Sequence, residues 1–131
     1  MTRKRVFGYE LLLDCYECKS GASDNFELCY NYLEGLAYFI KMKLQAPPSV
    51  FRTDEKSFPD KIGLSGWVPL AESSIVIHTL SKENFISIDI YSCKLFIPEK
   101  VIKFTKRYFT PKKIESQFVL RGQHYFDAHK K

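Results

Sequence analysis

A short stretch of this sequence contains side chains that could act as a nucleophile, a base and an acid. Ser65, Ser73, His78 and Cys93 fall within it, and Glu72 directly precedes Ser73. A serine hydroxyl becomes an effective nucleophile when a nearby base takes its proton, and histidine titrates close enough to neutral pH to act as that base. A cysteine thiol can donate a proton. We therefore treat this stretch as the candidate active site.

Side-chain alternation assigns these residues to the two faces of the surrounding strands. Three isoleucines mark the apolar face of the strand before Cys93: Ile86, Ile88 and Ile90. Cys93 falls on the opposite, polar face. His78 and Ser73 have opposite parity, so we expect the backbone to turn at Glu72 or Ser73 and to bring Ser73 toward His78. A strained turn at this point would favour self-cleavage.

The hydrophobic periodicity predicts two helices among several strands. One amphipathic helix follows an N-cap at Asp24 and ends near Leu44, and the other begins at Pro98 and ends before Pro111. Strands are predicted over residues 9–18, 50–53 and 114–121, with β-structure through residues 62–91.

A five-residue pattern, D-x-Y-x-C, occurs twice, from Asp14 to Cys18 and from Asp89 to Cys93. Each copy ends a predicted strand and precedes a predicted helix. These internally duplicated βα units predict an α+β fold, a two-layer sandwich with helices on one face of a mainly antiparallel sheet. The other face must then be polar, functional or part of a dimer. At this length we expect a single domain, residues 1–131.

The composition is that of a folded protein, with 45% hydrophobic and 27% charged residues. The net charge of +5 could attract phosphates, but no nucleic-acid-binding signature accompanies it, so we predict no nucleic-acid partner. No apolar run approaches the roughly 20 residues that cross a bilayer. We therefore predict a cytoplasmic protein without membrane contact.

The four cysteines are expected to stay reduced, because nothing in the sequence suggests secretion. Cys15 and Cys18 form a C-x-x-C pair, yet their odd separation would point them to opposite faces of a strand. Structural burial is therefore favoured over a metal site, and no metal is predicted.

Three segments resemble the signature of the prokaryotic S-adenosylmethionine decarboxylase family: residues 63–66 (GLSG), 70–79 (LAESSIVIHT) and 89–93 (DIYSC). The spacings between them also match. Residues 8–14 (GYELLLD) are similar to that family's first strand, and residues 110–113 (TPKK) to its final helix-to-strand turn. The resemblance covers most of the chain.

This resemblance implies a self-processing enzyme whose pyruvoyl cofactor is made from Ser73. The Ser73 hydroxyl would attack the Glu72 carbonyl, and elimination with loss of ammonia would leave the pyruvoyl group. The chain would be cut into a β chain, residues 1–72, and an α chain, residues 73–131. The pyruvoyl carbonyl would hold the substrate amine as a Schiff base and accept the electrons released with carbon dioxide.

The same motif implies roles for three further residues. Ser65 and His78 would assist processing, and Cys93 would return a proton to the substrate carbon. The family also implies a homodimer of processed protomers with two active sites near the interface. The implied substrate is S-adenosylmethionine, decarboxylated for spermidine and polyamine biosynthesis.

The sequence departs from the family pattern where the substrate would bind. The family usually has Trp-Pro-Glu after the His-Thr pair, with the tryptophan on adenine and the acid on ribose, whereas Leu80, Ser81 and Lys82 follow here. Leu80 cannot stack as an aromatic ring does, and Lys82 reverses the expected charge. Glu83 could replace the acid one residue later. Phe58, shifted by one position, could supply the second stacking ring across the dimer.

Three functions consequently stay open. The first is decarboxylation of S-adenosylmethionine, and the second is the same chemistry on L-arginine or L-ornithine, which the loss of the adenine-stacking tryptophan motivates. The third is a non-catalytic homologue or partner subunit that keeps only the fold.

Overall fold

The computed structural model describes residues 5–128, and residues 1–4 and 129–131 of the predicted single domain lie outside the described residues. Six strands form one sheet: β1 Gly8–Tyr16, β2 Ser49–Arg52, β3 Leu64–Leu70, β4 Ser73–Leu80, β5 Phe85–Ser92 and β6 Lys113–Arg121. Their order is β2-β3-β4-β5-β1-β6, and every neighbouring pair is antiparallel. The helices are α1 Phe26–Phe39, α2 Pro98–Phe109 and the short α3 Tyr125–Ala128. The predicted α+β class is confirmed.

Both predicted βα units are present, because β1 leads through a short connection into α1 and β5 leads into α2. The two strands are direct neighbours in the sheet. The two helices pack against each other, and a hydrogen bond of 2.7 Å joins the Tyr32 hydroxyl of α1 to the Thr105 hydroxyl of α2 within the core. A buried polar pair of this kind is stable because each group satisfies the other.

Three predicted boundaries were wrong. β1 ends at Tyr16 because Glu17 has a φ of 46°, which extended backbone cannot adopt. The N-cap of α1 is Asn25 rather than Asp24, since the Asn25 side chain accepts a hydrogen bond from the Leu28 amide at 3.0 Å. The helix ends at Phe39 rather than near Leu44, and Lys41 then has a φ of 59°.

The expectation that Cys15 and Cys18 point to opposite faces was also wrong. Both are buried, because the strand has ended before Cys18. Burial raises the pKa of the Cys15 thiol to about 12 and that of the Cys18 thiol to about 11. These residues are neutral core thiols, as the prediction of structural burial requires.

The helix-facing side of the sheet forms the apolar core. Seven aliphatic side chains from its central strands are at most 1% exposed: Leu11, Leu13, Ile75, Ile77, Ile86, Ile88 and Ile90. Burial of each contributes about 1.5–3 kcal/mol. A register slip of one residue would turn a whole row to solvent, so this layer determines which side chains the opposite face displays.

The opposite face of the sheet is covered by neither α1 nor α2, and we call it the open face. It carries polar side chains together with two well-exposed aromatic residues, Phe51 at 68% and Trp67 at 48%. Within residues 5–128, no helix combines the length and apolar character needed to span a bilayer.

Candidate active site

Ser73 begins β4 directly after a two-residue turn. Leu70 of β3 pairs with Ser73, so Ala71 and Glu72 form the connection. The Ala71 amide donates a hydrogen bond of 2.8 Å to the Lys43 carbonyl, which ties this turn to the segment after α1. Neither turn residue has a positive φ, so the strained turn expected from the sequence is not found.

The carbonyl that Ser73 would attack already has a hydrogen-bond donor. The backbone amide of Cys93 donates to the Glu72 carbonyl oxygen at 3.0 Å. The strand register produces this contact, because Ser92, the last residue of β5, pairs with Ser73. A donor at this oxygen polarises the carbonyl and stabilises negative charge that develops on it during attack.

A cavity of about 390 Å³ opens beside this turn. Its lining contains the three predicted residues Glu72, Ser73 and Cys93 together with Phe7, Ala71, Ser74 and Tyr91. Cys93 is exposed, in agreement with its predicted place outside the core. The cavity therefore brings the candidate nucleophile, its carbonyl and a thiol to one site, which we call the Ser73 cavity.

Ser65 and His78 form a second cluster on the open face. They pair directly in the register of β3 and β4, and the Ser65 hydroxyl lies 3.1 Å from His78 Nδ1, within hydrogen-bond distance. A shallow cavity of about 330 Å³ beside them is lined mainly by apolar atoms, including those of Phe51 and Trp67. We call this the His78 cavity.

The prediction that a turn brings Ser73 toward His78 of the same chain was wrong. The turn lies before Ser73, and both residues belong to the uninterrupted strand β4. Five residues of strand separate them by roughly 16 Å. Their side chains also point to opposite faces, since Ser73 hydrogen-bonds the buried Met42 while His78 lies on the open face. The two clusters are thus separate within one chain.

A carboxylate lies within electrostatic reach of His78. Burial raises the pKa of the Asp89 carboxyl, the Glu10 and Asp14 carboxylates raise it further, and His78 lowers it. Asp89 therefore lies close enough to His78 for the two side chains to interact electrostatically.

The residues predicted to bind substrate lie elsewhere on this protomer. Phe58 is 57% exposed and precedes the 3₁₀ turn Pro59–Lys61. Leu80 ends β4 opposite Phe85, and Lys82 and Glu83 lie in the turn that follows. None of the four is among the residues that line the Ser73 or the His78 cavity.

Sequence reasoning missed several residues that line the two cavities. Tyr91 lies in the repeated D-x-Y-x-C pattern and on the open face by parity, so its position could have been inferred. The Arg121 guanidinium lies 5.1 Å from the centre of the Tyr91 ring. Phe51 and Trp67 share the open face with Ser65, which parity also indicates. Phe7 precedes β1 and carries no sequence signal.

A cofactor made from Ser73 fits this environment. Ser73 lines an accessible cavity, and the carbonyl of its peptide bond to Glu72 accepts the hydrogen bond from the Cys93 amide. Across residues 5–128, no three His, Cys, Asp or Glu side chains cluster in a way that could hold a metal ion. The fold and the site thus define a two-layer α+β protein with a candidate active site at a serine. The carbonyl of the residue before that serine accepts a backbone hydrogen bond.

The comparisons identify the family. The family model described as S-adenosylmethionine decarboxylase matches residues 9–122. An S-adenosylmethionine decarboxylase proenzyme of Clostridium botulinum strain Hall is 33% identical over 117 residues, which cover 88% of this chain and 95% of that protein. The proenzyme of strain Langeland is 32% identical over the same shares. This chain belongs to the S-adenosylmethionine decarboxylase family.

A solved structure has the same fold. The crystal structure of the adenosylmethionine decarboxylase from Aquifex aeolicus aligns with a TM-score of 0.76 at 23% identity, covering 90% of this chain and 92% of that one. Most of both chains therefore share one architecture.

Proposed function

We propose that this chain is a self-processing, pyruvoyl-dependent decarboxylase that acts on S-adenosylmethionine. The hydrogen bond from the Cys93 amide to the Glu72 carbonyl, next to Ser73, is the observation that carries the proposal. Membership of the family supports the reaction class and the substrate. In this proposal residues 1–72 become the β chain and residues 73–131 the α chain.

The steps of self-cleavage balance in atoms and electrons without an oxidant or a metal. The Ser73 hydroxyl oxygen bonds to the Glu72 carbonyl carbon and gives its proton to a base, while the Cys93 amide holds the developing oxyanion. The peptide C–N bond breaks, and the nitrogen gains a proton, which leaves an ester. Loss of the α-hydrogen of residue 73 then expels the Glu72 carboxylate. Tautomerisation and addition of water release ammonia and leave a ketone.

The pyruvoyl group supplies an electrophilic carbonyl that captures an amine and takes up the electrons released with carbon dioxide. The residues around it bind the substrate and move protons. Cys93 shares the cavity with Ser73, so its thiol is placed to donate a proton to the substrate carbon.

A second copy of the chain supplies the base. Within one chain His78 lies too far from Ser73 to take its proton, by the strand geometry above. A two-fold interface between open faces would pair the His78 cavity of one protomer with the Ser73 cavity of its partner, and the reverse. The exposed Phe51 and Trp67 rings beside His78 would supply apolar area for such a homodimer.

A specific observation keeps a second substrate class open. Leu80 and Lys82 replace the aromatic and acidic residues that the family uses for adenine and ribose, and neither lines the Ser73 or the His78 cavity. The same chemistry on L-arginine or L-ornithine would not need an adenine pocket. A non-catalytic homologue would keep the fold without self-cleavage, so the presence or absence of cleavage separates it from both decarboxylases.

Denaturing mass spectrometry of purified protein tests the processing. We expect two fragments that meet between Glu72 and Ser73, with the second lighter by one ammonia than simple hydrolysis would leave. Ser73→Ala should leave one intact chain, whereas the control Ser74→Ala, the adjacent serine, should still be cleaved. An intact wild-type chain would support the non-catalytic homologue and overturn the proposal.

Release of labelled carbon dioxide then tests the substrate. S-adenosylmethionine, L-arginine and L-ornithine are each supplied with a labelled carboxyl carbon to the cleaved protein. We expect release from S-adenosylmethionine. Release from arginine or ornithine alone would transfer the proposal to that substrate.

Mixing two inactive variants tests the shared site. Ser73→Ala keeps His78, and His78→Ala keeps Ser73. If His78 acts across the interface, co-expression should allow the His78→Ala chain to be cleaved, although each variant alone is not. Absence of cleavage in a verified mixed dimer would show that the base does not come from the partner.

A further inference from the structure

The Ser73 hydroxyl donates a hydrogen bond to a thioether. The distance from Ser73 Oγ to Met42 Sδ is 2.9 Å, and the Ser92 hydroxyl donates to the same sulfur at 3.5 Å. Met42 is 3% exposed, so water does not compete for this sulfur. Thioether sulfur is a weak hydrogen-bond acceptor and takes no proton at any ordinary pH, so this contact contributes nothing to deprotonation of the serine.

The backbone holds Met42 against the serine from both sides. α1 ends at Phe39, and the left-handed Lys41 reverses the chain so that the Met42 amide donates to the Ala37 carbonyl at 2.9 Å. One residue later, the Lys43 carbonyl accepts from the Ala71 amide at 2.8 Å. Backbone hydrogen bonds on both sides of Met42 therefore fix the position of its main chain relative to the turn formed by Ala71 and Glu72.

This arrangement bears on the first step of cleavage. A serine hydroxyl has one proton, and the base must receive that proton as the oxygen attacks. While the proton is directed at Met42, the base cannot receive it. The hydroxyl must leave the sulfur before it reacts.

We propose that Met42 is a positioning residue that holds the Ser73 hydroxyl in an unreactive orientation and thereby sets the rate of self-cleavage. The inference rests on the proposed function, since it concerns the same bond. In this proposal the connection after α1 controls when self-cleavage occurs, because it carries the Met42 sulfur that accepts the Ser73 hydrogen bond.

Replacement of the sulfur by a methylene tests this directly. The chain contains two methionines, Met1 and Met42, so norleucine in a cell-free synthesis alters two positions. Norleucine keeps the shape of the side chain and lacks the acceptor. We expect cleavage of newly made chains, followed by mass spectrometry after synthesis is stopped, to be about two- to tenfold faster. Met42→Leu, with Met1 intact, should show the same acceleration.

A stronger acceptor should act in the opposite direction. Met42→Gln places an amide oxygen near the hydroxyl and should slow cleavage by a similar factor. Thermal unfolding of each variant in the uncleavable Ser73→Ala background reports its effect on folding. If Met42 only filled space, the cleavage rate would change when the shape of the side chain is lost. It would not change when sulfur is exchanged for methylene.

The outcomes separate the two proposals. A wild-type chain that never cleaves overturns the proposed function and this inference with it. A wild-type chain that cleaves, with the norleucine and leucine forms folded and no faster, overturns the role of Met42 alone. Acceleration in both forms with slowing in Met42→Gln supports it.

Discussion

The backbone amide of Cys93 donates a hydrogen bond to the carbonyl oxygen of Glu72 at 3.0 Å, across the ends of β4 and β5. The donor is main chain, so it persists when the side chain changes. Cys93 consequently offers two separable functions: its amide can assist self-cleavage, and its thiol can serve the mature site.

Substitution at position 93 should separate these functions. Cys93→Ala keeps the amide, so we expect normal cleavage but poor turnover or faulty protonation of the product. Cys93→Pro removes the donor, so cleavage should slow by about 10²–10³. Mass spectrometry measures the cleavage of both variants, and carbon dioxide release measures the turnover of Cys93→Ala. Unchanged turnover in Cys93→Ala would remove the thiol from the mechanism.

A charge on the open face should disrupt the proposed homodimer. Trp67 is the single tryptophan, half-exposed beside His78, and Trp67→Glu would place a carboxylate in the proposed interface. We expect light scattering to report a monomer and cleavage to be lost. Phe26→Glu is the matched control, since Phe26 is 46% exposed on α1 and should leave a cleaved dimer. A Trp67→Glu dimer would argue for another interface.

The four thiols should differ in reactivity. Cys15, Cys18 and Cys29 are buried, and Cys93 is exposed. A disulfide reagent should therefore modify one thiol quickly in the native monomer formed by Trp67→Glu and none in the same protein carrying Cys93→Ser. Denaturant should release all four. Two fast thiols would contradict the described core, and a slower reaction in wild type would indicate that the dimer covers Cys93.

Alkaline pH should destabilise the fold. Burial raises the pKa of Cys15 and of Cys29 from 9.0 to about 12, so the folded state keeps protons that the unfolded chain releases. The free energy of unfolding is therefore unaffected by these groups below pH 9 and falls as the pH rises from about 9 toward 12. Urea midpoints across this range measure the fall. Cys29→Ala should make it shallower, and an equal slope would exclude that thiol as a contributor.

Local sequence signals were enough to predict the α+β class, the helix at Pro98 and the alternating strands. The reason is that apolar periodicity and proline act over a few residues and need no knowledge of distant partners. The same signals predicted the polar face of Cys93 and, through the resemblance of residues 63–66, 70–79 and 89–93, the candidate residues themselves. They failed to predict where β1 and α1 end. The left-handed residues that follow these elements, Glu17 and Lys41, are not glycines and so carry no sequence signal.

Only the tertiary structure decided how the candidate residues meet. Parity showed that Ser73 and His78 face opposite ways. The register of β4 against β5 determined that Ser73 lies beside Cys93, and the register of β3 against β4 determined that His78 lies beside Ser65. The contact of Met42 with Ser73 joins residues from different elements and has no sequence signature. Sequence patterns are local, whereas pairing between strands and packing of a loop against a turn depend on the energy of the whole core.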